Sequence, residues 1–197
     1  MEQAVREFDK LEIYEKGSTK CEYGIMLGSA ELVFIKAGLG GNYRGYEDKY
    51  LRIAGLLNEE YGRTVICASN EECMSLDFDV QIIEKYKAIL GDKCKIYFFG
   101  HSDGGRCGLD LAKDIHFERM ILVNMPLMIN MHKKERAIKE LTDTKISLIC
   151  GERDPSYSYL PFIEVGKPEN LEIIRIPGAD HNFKGMTEEF IQLSRGL

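Results

Sequence analysis

Apolar residues recur along this chain in two patterns that alternate with each other. Short runs of consecutive apolar residues, bounded by Gly, Ser or polar residues, predict buried strands, and longer segments with apolar residues three or four positions apart predict amphipathic helices. The predicted strands lie at 11–15, 22–27, 31–37, 64–69, 95–99, 119–126, 145–155 and 171–183, and the last two end in polar loops. The predicted helices lie at 46–61, 80–90, 105–112, 132–141 and 187–194.

The order of these elements predicts the fold class. The first two strands are separated only by Gly17 and Ser18 and are expected to pair antiparallel, and segment 71–77 is expected to be a loop. The later strands alternate with helices, which predicts an α/β fold with a doubly wound, mostly parallel sheet and helices on both faces. We find no internal repeat or linker, so residues 1–197 are expected to form a single domain.

Composition narrows the class of protein. The 197 residues are 44% hydrophobic, which is enough for a sizeable core, and the net charge is −6. No long run of Lys and Arg is present, which argues against nucleic acid and membrane surfaces as partners. We see no secretory signal or transmembrane run and expect a cytoplasmic protein. The six cysteines show no Cys-x-x-Cys spacing and are expected to be buried thiols rather than disulfides or metal ligands.

The segment from Ile96 to Gly105, IYFFGHSDGG, carries the clearest chemical signal. It runs an apolar strand into a Gly-x-Ser-x-Gly turn centred on Ser102. Such a turn is typical of a nucleophile elbow, in which small residues on either side of the serine let the neighbouring backbone approach closely. An ordinary turn that happens to contain serine is the alternative, so the rest of the chain has to supply a base and an acid.

Two further polar residues follow predicted strands in the way that Ser102 does. Asp154 follows ISLICGER and His181 follows IIRIPGAD. The carboxyl ends of parallel strands meet at one edge of the sheet, where active sites of such folds lie. Serine, carboxylate and histidine in this chain order are typical of one class of serine triad. We therefore predict Ser102 as nucleophile, His181 as base and Asp154 as the acid that orients it.

The chain resembles the α/β-hydrolase superfamily over nearly its whole length. GHSDGG resembles the nucleophile elbow, GERDP the acid turn, PGADHNF the histidine loop and KAGLGGN the oxyanion-hole loop. The resemblance implies an oxyanion hole formed by the backbone N–H groups of Leu39 and Asp103. It also implies a serine esterase or thioesterase that needs no cofactor and no metal.

The oxyanion loop departs from the family pattern at one position. Ala37 stands where the family usually has histidine, so the side-chain anchoring of the loop is in question. Lys36 at the end of an apolar strand is interpreted as a snorkelling surface lysine, or else as a partial replacement for that anchor or a substrate contact.

Other residues leave alternatives open. Asp180 adjoins His181 and is the second candidate for the acid, although chain order favours Asp154. His101 is expected to face away from Ser102 and to pack in the interior. Met125, Met128 and Tyr157 follow strand ends and are candidates for an acyl pocket, with the core as the other interpretation.

The function predicted from these residues is hydrolysis of a small-molecule ester or thioester with a small to medium acyl group. The short segment between Pro126 and Lys145 leaves little room for a lid, so the pocket is expected to be shallow. Peptidase, lactonase and acyltransferase activities use the same machinery. A non-catalytic binding protein on the same fold is the alternative from a different class. The sequence does not indicate the oligomeric state.

Overall fold

A computed structural model describes residues 6–29, 31–70 and 76–197 of the chain. Within these residues eight strands form one sheet. The strands are β1 (Lys10–Lys16), β2 (Thr19–Met26), β3 (Glu31–Lys36), β4 (Thr64–Ala68), β5 (Lys95–His101), β6 (Arg119–Val123), β7 (Lys145–Gly151) and β8 (Leu171–Ile176). Each of them falls on a predicted apolar run.

The sheet has the strand order β1-β2-β4-β3-β5-β6-β7-β8. β1 pairs antiparallel with β2, as the short connection through Gly17 predicts, and β2 pairs antiparallel with β4. All the remaining neighbours run parallel. The predicted doubly wound, mostly parallel sheet is therefore confirmed.

Six α-helices flank the sheet in the described part of the chain. They are α1 (Lys49–Tyr61), α2 (Leu76–Leu90), α3 (Asp103–Leu111), α4 (Met131–Glu140), α5 (Leu160–Glu164) and α6 (Thr187–Gln192). Gly62 ends α1 in the left-handed conformation at φ 67°, which suits glycine because it has no Cβ. The chain pattern did not predict α5.

Three predicted boundaries differ from the structure for local reasons. Residues 46–48 form a 3₁₀ turn in which Glu47 has a positive φ, so α1 starts at Lys49 rather than at residue 46. β6 stops at Val123 because Asn124 turns the chain with φ 48°. The predicted loop at 71–77 is already helical from Leu76 onward, and residues 71–75 lie outside the described part of the chain.

Two hydrophobic clusters cover the two faces of the sheet. On one face, α1 and α6 pack with residues such as Leu57 and Phe190 against the strands. On the other face, α2, α3, α4 and α5 contribute buried side chains such as Ile82 and Ile138. Burial on both faces explains why the central strands are apolar without alternation.

The layout leaves the carboxyl ends of β3, β5, β7 and β8 at one edge of the sheet. α4 is the one helix in the connection between β6 and β7, so no lid domain is inserted there. No helix in the described ranges has the length and apolar character needed to cross a membrane. Four of the described cysteines are buried thiols, as predicted: Cys21, Cys67, Cys107 and Cys150. Cys94 is only half-buried, and Cys73 lies outside the described residues.

Candidate active site

Ser102 occupies a strained turn between β5 and α3. Its backbone has φ 54° and ψ −124°, a conformation that residues with a Cβ rarely adopt. The turn is held by the Ser102 N–H, which donates to the carbonyl oxygen of Val123 at 2.8 Å. The structure therefore has the sharp strand-to-helix turn that the Gly-x-Ser-x-Gly pattern predicts.

The glycines around Ser102 sit where no side chain fits. A Cβ at Gly104 would lie 2.2 Å from the carbonyl oxygen of Lys36, and one at Gly100 would lie 2.7 Å from the backbone of Gly104. Both contacts involve backbone atoms, which cannot move aside as a flexible side chain can. The turn thus depends on close approach of β3, β5 and α3.

Ser102, His181 and Asp154 form one chain of hydrogen bonds. The Ser102 Oγ lies 2.8 Å from His181 Nε2, and His181 Nδ1 lies 2.5 Å from Asp154 Oδ2. A carboxylate only accepts, so Nδ1 carries the proton and donates to it. Nε2 of the neutral ring is then the acceptor for the Ser102 hydroxyl. The structure brings together the three residues that the sequence predicts.

Asp154 combines this contact with a turn. The side chain is fully buried, and its Oδ1 accepts a hydrogen bond from the Ser156 N–H at 2.6 Å while Oδ2 faces His181. Pro155 follows it at the first position of a 3₁₀ turn. The local Asp-Pro turn and the contact with His181 are therefore compatible, and the turn fixes the direction of the carboxylate.

Asp180 has a different role from Asp154. Its Oδ1 accepts hydrogen bonds from the backbone N–H groups of Asn182 and Lys184, at 3.0 and 2.9 Å. These bonds hold the pKa of the Asp180 carboxyl below its usual range. Asp180 shapes the loop that carries His181 and makes no hydrogen bond to the imidazole among the described residues.

Asn124 and His101 support the backbone of His181. The Asn124 side-chain amide donates to the His181 carbonyl oxygen at 2.9 Å, and its own Oδ1 accepts from the Gly151 N–H. His101 Nε2 lies 2.8 Å from the same carbonyl oxygen, so it donates, and Nδ1 faces the Tyr50 hydroxyl at 3.3 Å. His101 is buried, as expected. Sequence reasoning missed both contacts because they join distant parts of the chain.

Asn70 anchors the loop that follows β3. Its side-chain amide donates to the backbone carbonyl oxygen of Ala37 at 3.1 Å, and its backbone carbonyl oxygen accepts from the Gly40 N–H at 2.9 Å. Its own N–H donates to Gly41. Backbone contacts from the end of β4 thus hold the loop that Ala37 leaves without a histidine anchor. No sequence signal singled out Asn70.

The interpretation of Lys36 as a snorkelling surface lysine is wrong. The side chain is 3% exposed, and its Nζ lies 2.7 Å from Oδ2 of Asp79 on α2. The Tyr23 hydroxyl donates to the same carboxylate at 2.9 Å. Burial raises the pKa of Asp79, and the Lys36 ammonium opposes that rise. Lys36 is directed into the interior because Asp79 is there to pair with it.

A cleft of about 480 Å³ lies over Ser102 and His181. Its other walls come from the loop after β3 and from the start of α1, including Leu39, Tyr46 and Lys49. The proposed pocket residues Met125, Met128 and Tyr157 are not among the residues that line it, and Met125 is packed in the core with 1% exposure. Their contact with substrate stays a prediction.

Leu39 and Asp103, the predicted oxyanion donors, both lie close to Ser102. Asp103 is the first residue of α3, and the first N–H groups of a helix have no acceptor within the helix. Leu39 lines the cleft, and a Cβ built on its neighbour Gly38 would lie 3.2 Å from the Ser102 Cβ. In residues 6–29, 31–70 and 76–197, no group of His, Cys, Asp and Glu side chains is arranged to hold a metal.

Solved structures similar to this chain share the architecture described above. Est1E from Butyrivibrio proteoclasticus superposes with a TM-score of 0.72 at 16% identity, over 94% of this chain and 96% of that chain. An alpha-beta serine hydrolase homologue from Coxiella burnetii gives a TM-score of 0.69 at 15% identity, over 98% of this chain and 100% of its own. The chain has the α/β-hydrolase fold.

The α/β-hydrolase fold without a lid is also present among the similar structures. A serine hydrolase from Xanthomonas campestris, described as lacking a lid, gives a TM-score of 0.66 at 13% identity, over 95% of this chain and 92% of that chain. Neither a protein-family model nor a curated protein matches this sequence. At these identities the likeness establishes the fold, and the chemistry has to be argued from the site.

Proposed function

We propose that this protein is a serine hydrolase that cleaves carboxylic esters or thioesters of small-molecule acyl groups. The observation that carries the proposal is the hydrogen-bonded chain from Ser102 Oγ through His181 to the buried Asp154 carboxylate. A serine hydroxyl is a weak nucleophile unless an adjacent base accepts its proton. The strained turn at Ser102 supports the same role, because it presents the hydroxyl to the cleft.

Acylation begins with attack of Ser102 Oγ on the carbonyl carbon of the ester. His181 Nε2 accepts the hydroxyl proton, and Asp154 stabilises the resulting imidazolium through Nδ1–H. The N–H groups of Leu39 and Asp103 donate to the oxyanion of the tetrahedral intermediate. When that intermediate collapses, the C–O or C–S bond of the ester breaks and His181 returns the proton to the leaving alcohol or thiol.

Deacylation repeats the sequence with water. Water loses a proton to His181 Nε2 as its oxygen attacks the carbonyl carbon of the acyl-enzyme. Collapse of the second tetrahedral intermediate breaks the bond to Ser102, and His181 gives the proton back to the Oγ. The acid leaves and the enzyme returns to its starting state. Water has access because the His181 side chain is 38% exposed.

The cleft favours short acyl groups. No lid covers it among the residues that the structure describes, and its apolar walls include Leu39 and Tyr46, each 66% exposed. A buried CH₂ contributes about 0.8 kcal/mol only where a pocket removes it from water. We therefore expect acyl groups of about two to six carbons to be hydrolysed faster than long ones.

A series of p-nitrophenyl esters from acetate to palmitate tests this proposal. We expect kcat/KM to fall as the acyl chain lengthens and turnover to be lost in the Ser102→Ala variant. A steady rise toward palmitate would contradict the short-chain preference alone. Absence of turnover with every oxygen ester and thioester would contradict the hydrolase and favour a binding protein with the same fold.

A further inference from the structure

Lys49 is a buried lysine in the wall of the cleft over Ser102. It is the first residue of α1, its side chain is 6% exposed, and it lines the cleft together with Tyr50, His101 and Ser102. Its Nζ lies 4.3 Å from the centre of the Phe190 ring and 5.2 Å from that of Tyr50. Aromatic faces attract a cation weakly and provide no hydrogen-bond acceptor of the strength of a carboxylate.

The other buried lysines differ from Lys49 in having an oxygen partner. Lys36 pairs with Asp79, and Lys134 donates to the carbonyl oxygen of Ile129. Among the described residues, Lys49 has neither an ion pair nor a hydrogen-bond acceptor for its ammonium group. Burial lowers the pKa of Lys49 to about 8, which is the effect expected for a cation without a counter-ion.

The carboxylates next to Lys49 in the chain, and Glu188 on α6, are bonded to residues other than Lys49. Asp48 accepts from Arg44 at 2.7 Å, and Glu47 accepts from the Thr187 hydroxyl at 2.5 Å. Glu188 on α6 pairs with Arg52. No Asp or Glu is among the described residues that line the cleft over Ser102. A buried cation that faces a cleft and has no carboxylate partner in the protein is available to pair with the anionic group of a ligand.

A second hollow adjoins the first at Lys49. It measures about 540 Å³ and shares Tyr46, Lys49 and Asn182 with the cleft over Ser102. Its own wall includes Asp180, whose carboxylate already accepts two backbone N–H groups. Lys49 therefore lies where a substrate that extends from the scissile bond into the second hollow would pass.

We propose that Lys49 is a specificity residue that binds a carboxylate carried by the ester substrate, away from the scissile carbonyl. The inference rests on the proposed hydrolase function and narrows it to half-esters of dicarboxylic acids or to esters of hydroxy acids. In both sources the shared chemistry is a carboxylate that forms a charge-assisted hydrogen bond with the Lys49 ammonium.

Matched ester pairs test the proposal and distinguish the two sources. Methyl hydrogen glutarate against methyl hexanoate places the carboxylate on the acyl side, and 4-acetoxybenzoate against 4-methylphenyl acetate places it on the alcohol side. We expect wild-type kcat/KM to be higher for the charged ester than for the neutral ester in one of the two pairs, and that pair identifies the side of the ester that carries the carboxylate. The preference should fall by about tenfold in Lys49→Met, mainly through KM, since charge-assisted hydrogen bonds contribute enough for a tenfold change.

Two further variants make the result specific to the Lys49 charge. Lys49→Arg retains the cation and should retain more of the preference than Lys49→Met does. Lys145→Met is the matched control, because it removes one positive charge, as Lys49→Met does, at the start of β7 and therefore at the opposite edge of the sheet. This variant should keep the preference for the charged ester.

Two outcomes would overturn the inference, and they differ in what they say about the proposed function. Hydrolysis of the neutral esters with no preference for either charged partner, or a preference that Lys49→Met keeps, overturns the role of Lys49 and leaves the hydrolase standing. Absence of turnover with all four esters, with the p-nitrophenyl series and with thioesters of the same acyl groups overturns both. If Lys49→Met does not fold, Lys49→Gln replaces it in the comparison, since glutamine also removes the charge and keeps a polar side chain in the cleft wall.

Discussion

The side-chain amide of Asn70 lies 3.2 Å from Oδ2 of Asp103, so a single residue after β4 connects the loop after β3 with the first residue of α3. These two segments carry the proposed oxyanion donors, Leu39 and Asp103. Asn70 also bonds to Ala37, Gly40 and Gly41 on the loop side. It therefore fixes the spacing between two backbone N–H groups whose distance from the oxyanion determines how well they stabilise it.

Asn70→Ala is expected to lower kcat by roughly tenfold while KM changes less, because the loop that carries Leu39 loses the side-chain bond to Ala37 and its link to Asp103. Removal of an oxyanion donor lowers kcat by about a hundredfold or more, so the displacement of a donor is expected to lower kcat by less. Kinetics with a short p-nitrophenyl ester measure the effect. Asn170→Ala is the matched control, because Asn170 also bridges two backbone carbonyls, those of Leu141 and Thr144, away from the site. Equal losses of kcat in both variants would refute the anchoring role.

Asp154→Asn is expected to lower kcat by roughly two to four orders of magnitude with the fold retained, because an amide can favour the wrong tautomer of His181. Asp180→Asn should lower kcat far less, since the Asp180 carboxylate bonds to backbone N–H groups and not to the His181 ring. Steady-state kinetics of the two variants, with circular dichroism to confirm folding, make the comparison. A loss in Asp180→Asn as large as that in Asp154→Asn would overturn the assignment of the acid.

Gly104→Ala is expected to reduce the yield of folded protein, and Gly104→Val to reduce it further. The added Cβ meets the Lys36 carbonyl oxygen at 2.2 Å, and β3 and α3 cannot separate without breaking the turn at Ser102. Gly55→Ala is the control, because a Cβ there has no neighbour within 4 Å and a helix favours alanine. Thermal melting of the purified variants provides the measurement. A Gly104→Val protein that melts like wild type would argue for an ordinary turn.

His101 is expected to make folding sensitive to acid. Burial, with a contribution from the nearby Lys49 charge, lowers the pKa of His101 from 6.5 to about 3. Below pH 6.5 the unfolded chain therefore binds a proton at this residue that the folded protein does not, and stability falls as the pH falls. Between about pH 7 and about pH 5 the cost is about 2 kcal/mol.

Urea unfolding of wild type and His101→Gln at those two pH values measures this difference. The variant keeps a side-chain donor for the His181 carbonyl oxygen and has no titrating ring, so it should lose about 2 kcal/mol less on acidification. The same pH dependence in both proteins would show that His101 does not contribute to it.

The local signals in the sequence predicted the strands and the turn at Ser102 because both depend on short-range patterns. The contacts of Asn70 and Asn124 could not be predicted in this way. Each amide bonds to backbone groups far away in sequence, such as the His181 carbonyl oxygen for Asn124, and only the folded sheet brings them together. The burial of Lys36 is not predictable for the same reason, since Lys36 ends β3 and its partner Asp79 lies on α2, 43 positions later in the chain.

The residues that line the cleft were also only partly predictable from the sequence. Residues after the strand ends at 125–128 were candidates for the pocket, because active sites of parallel sheets lie beyond those ends. The loop after β3 and the start of α1 line the cleft over Ser102, with Leu39, Tyr46 and Lys49, and contact of the residues at 125–128 with substrate stays a prediction. The chain enters α1 through the turn at 46–48, where Glu47 and Asp48 both have positive φ. The helical spacing of the apolar residues in 46–61 does not predict this turn.

Covalent labelling tests whether Ser102 is an activated nucleophile. A fluorophosphonate reacts with a serine only when a base activates its hydroxyl and the site accepts the phosphonyl oxygen. Intact-mass and peptide mass spectrometry of the labelled protein should show one adduct, on the peptide that contains Ser102, and no adduct in Ser102→Ala. A folded wild-type protein that carries no adduct, or carries it on another residue, would show that Ser102 is not the activated nucleophile.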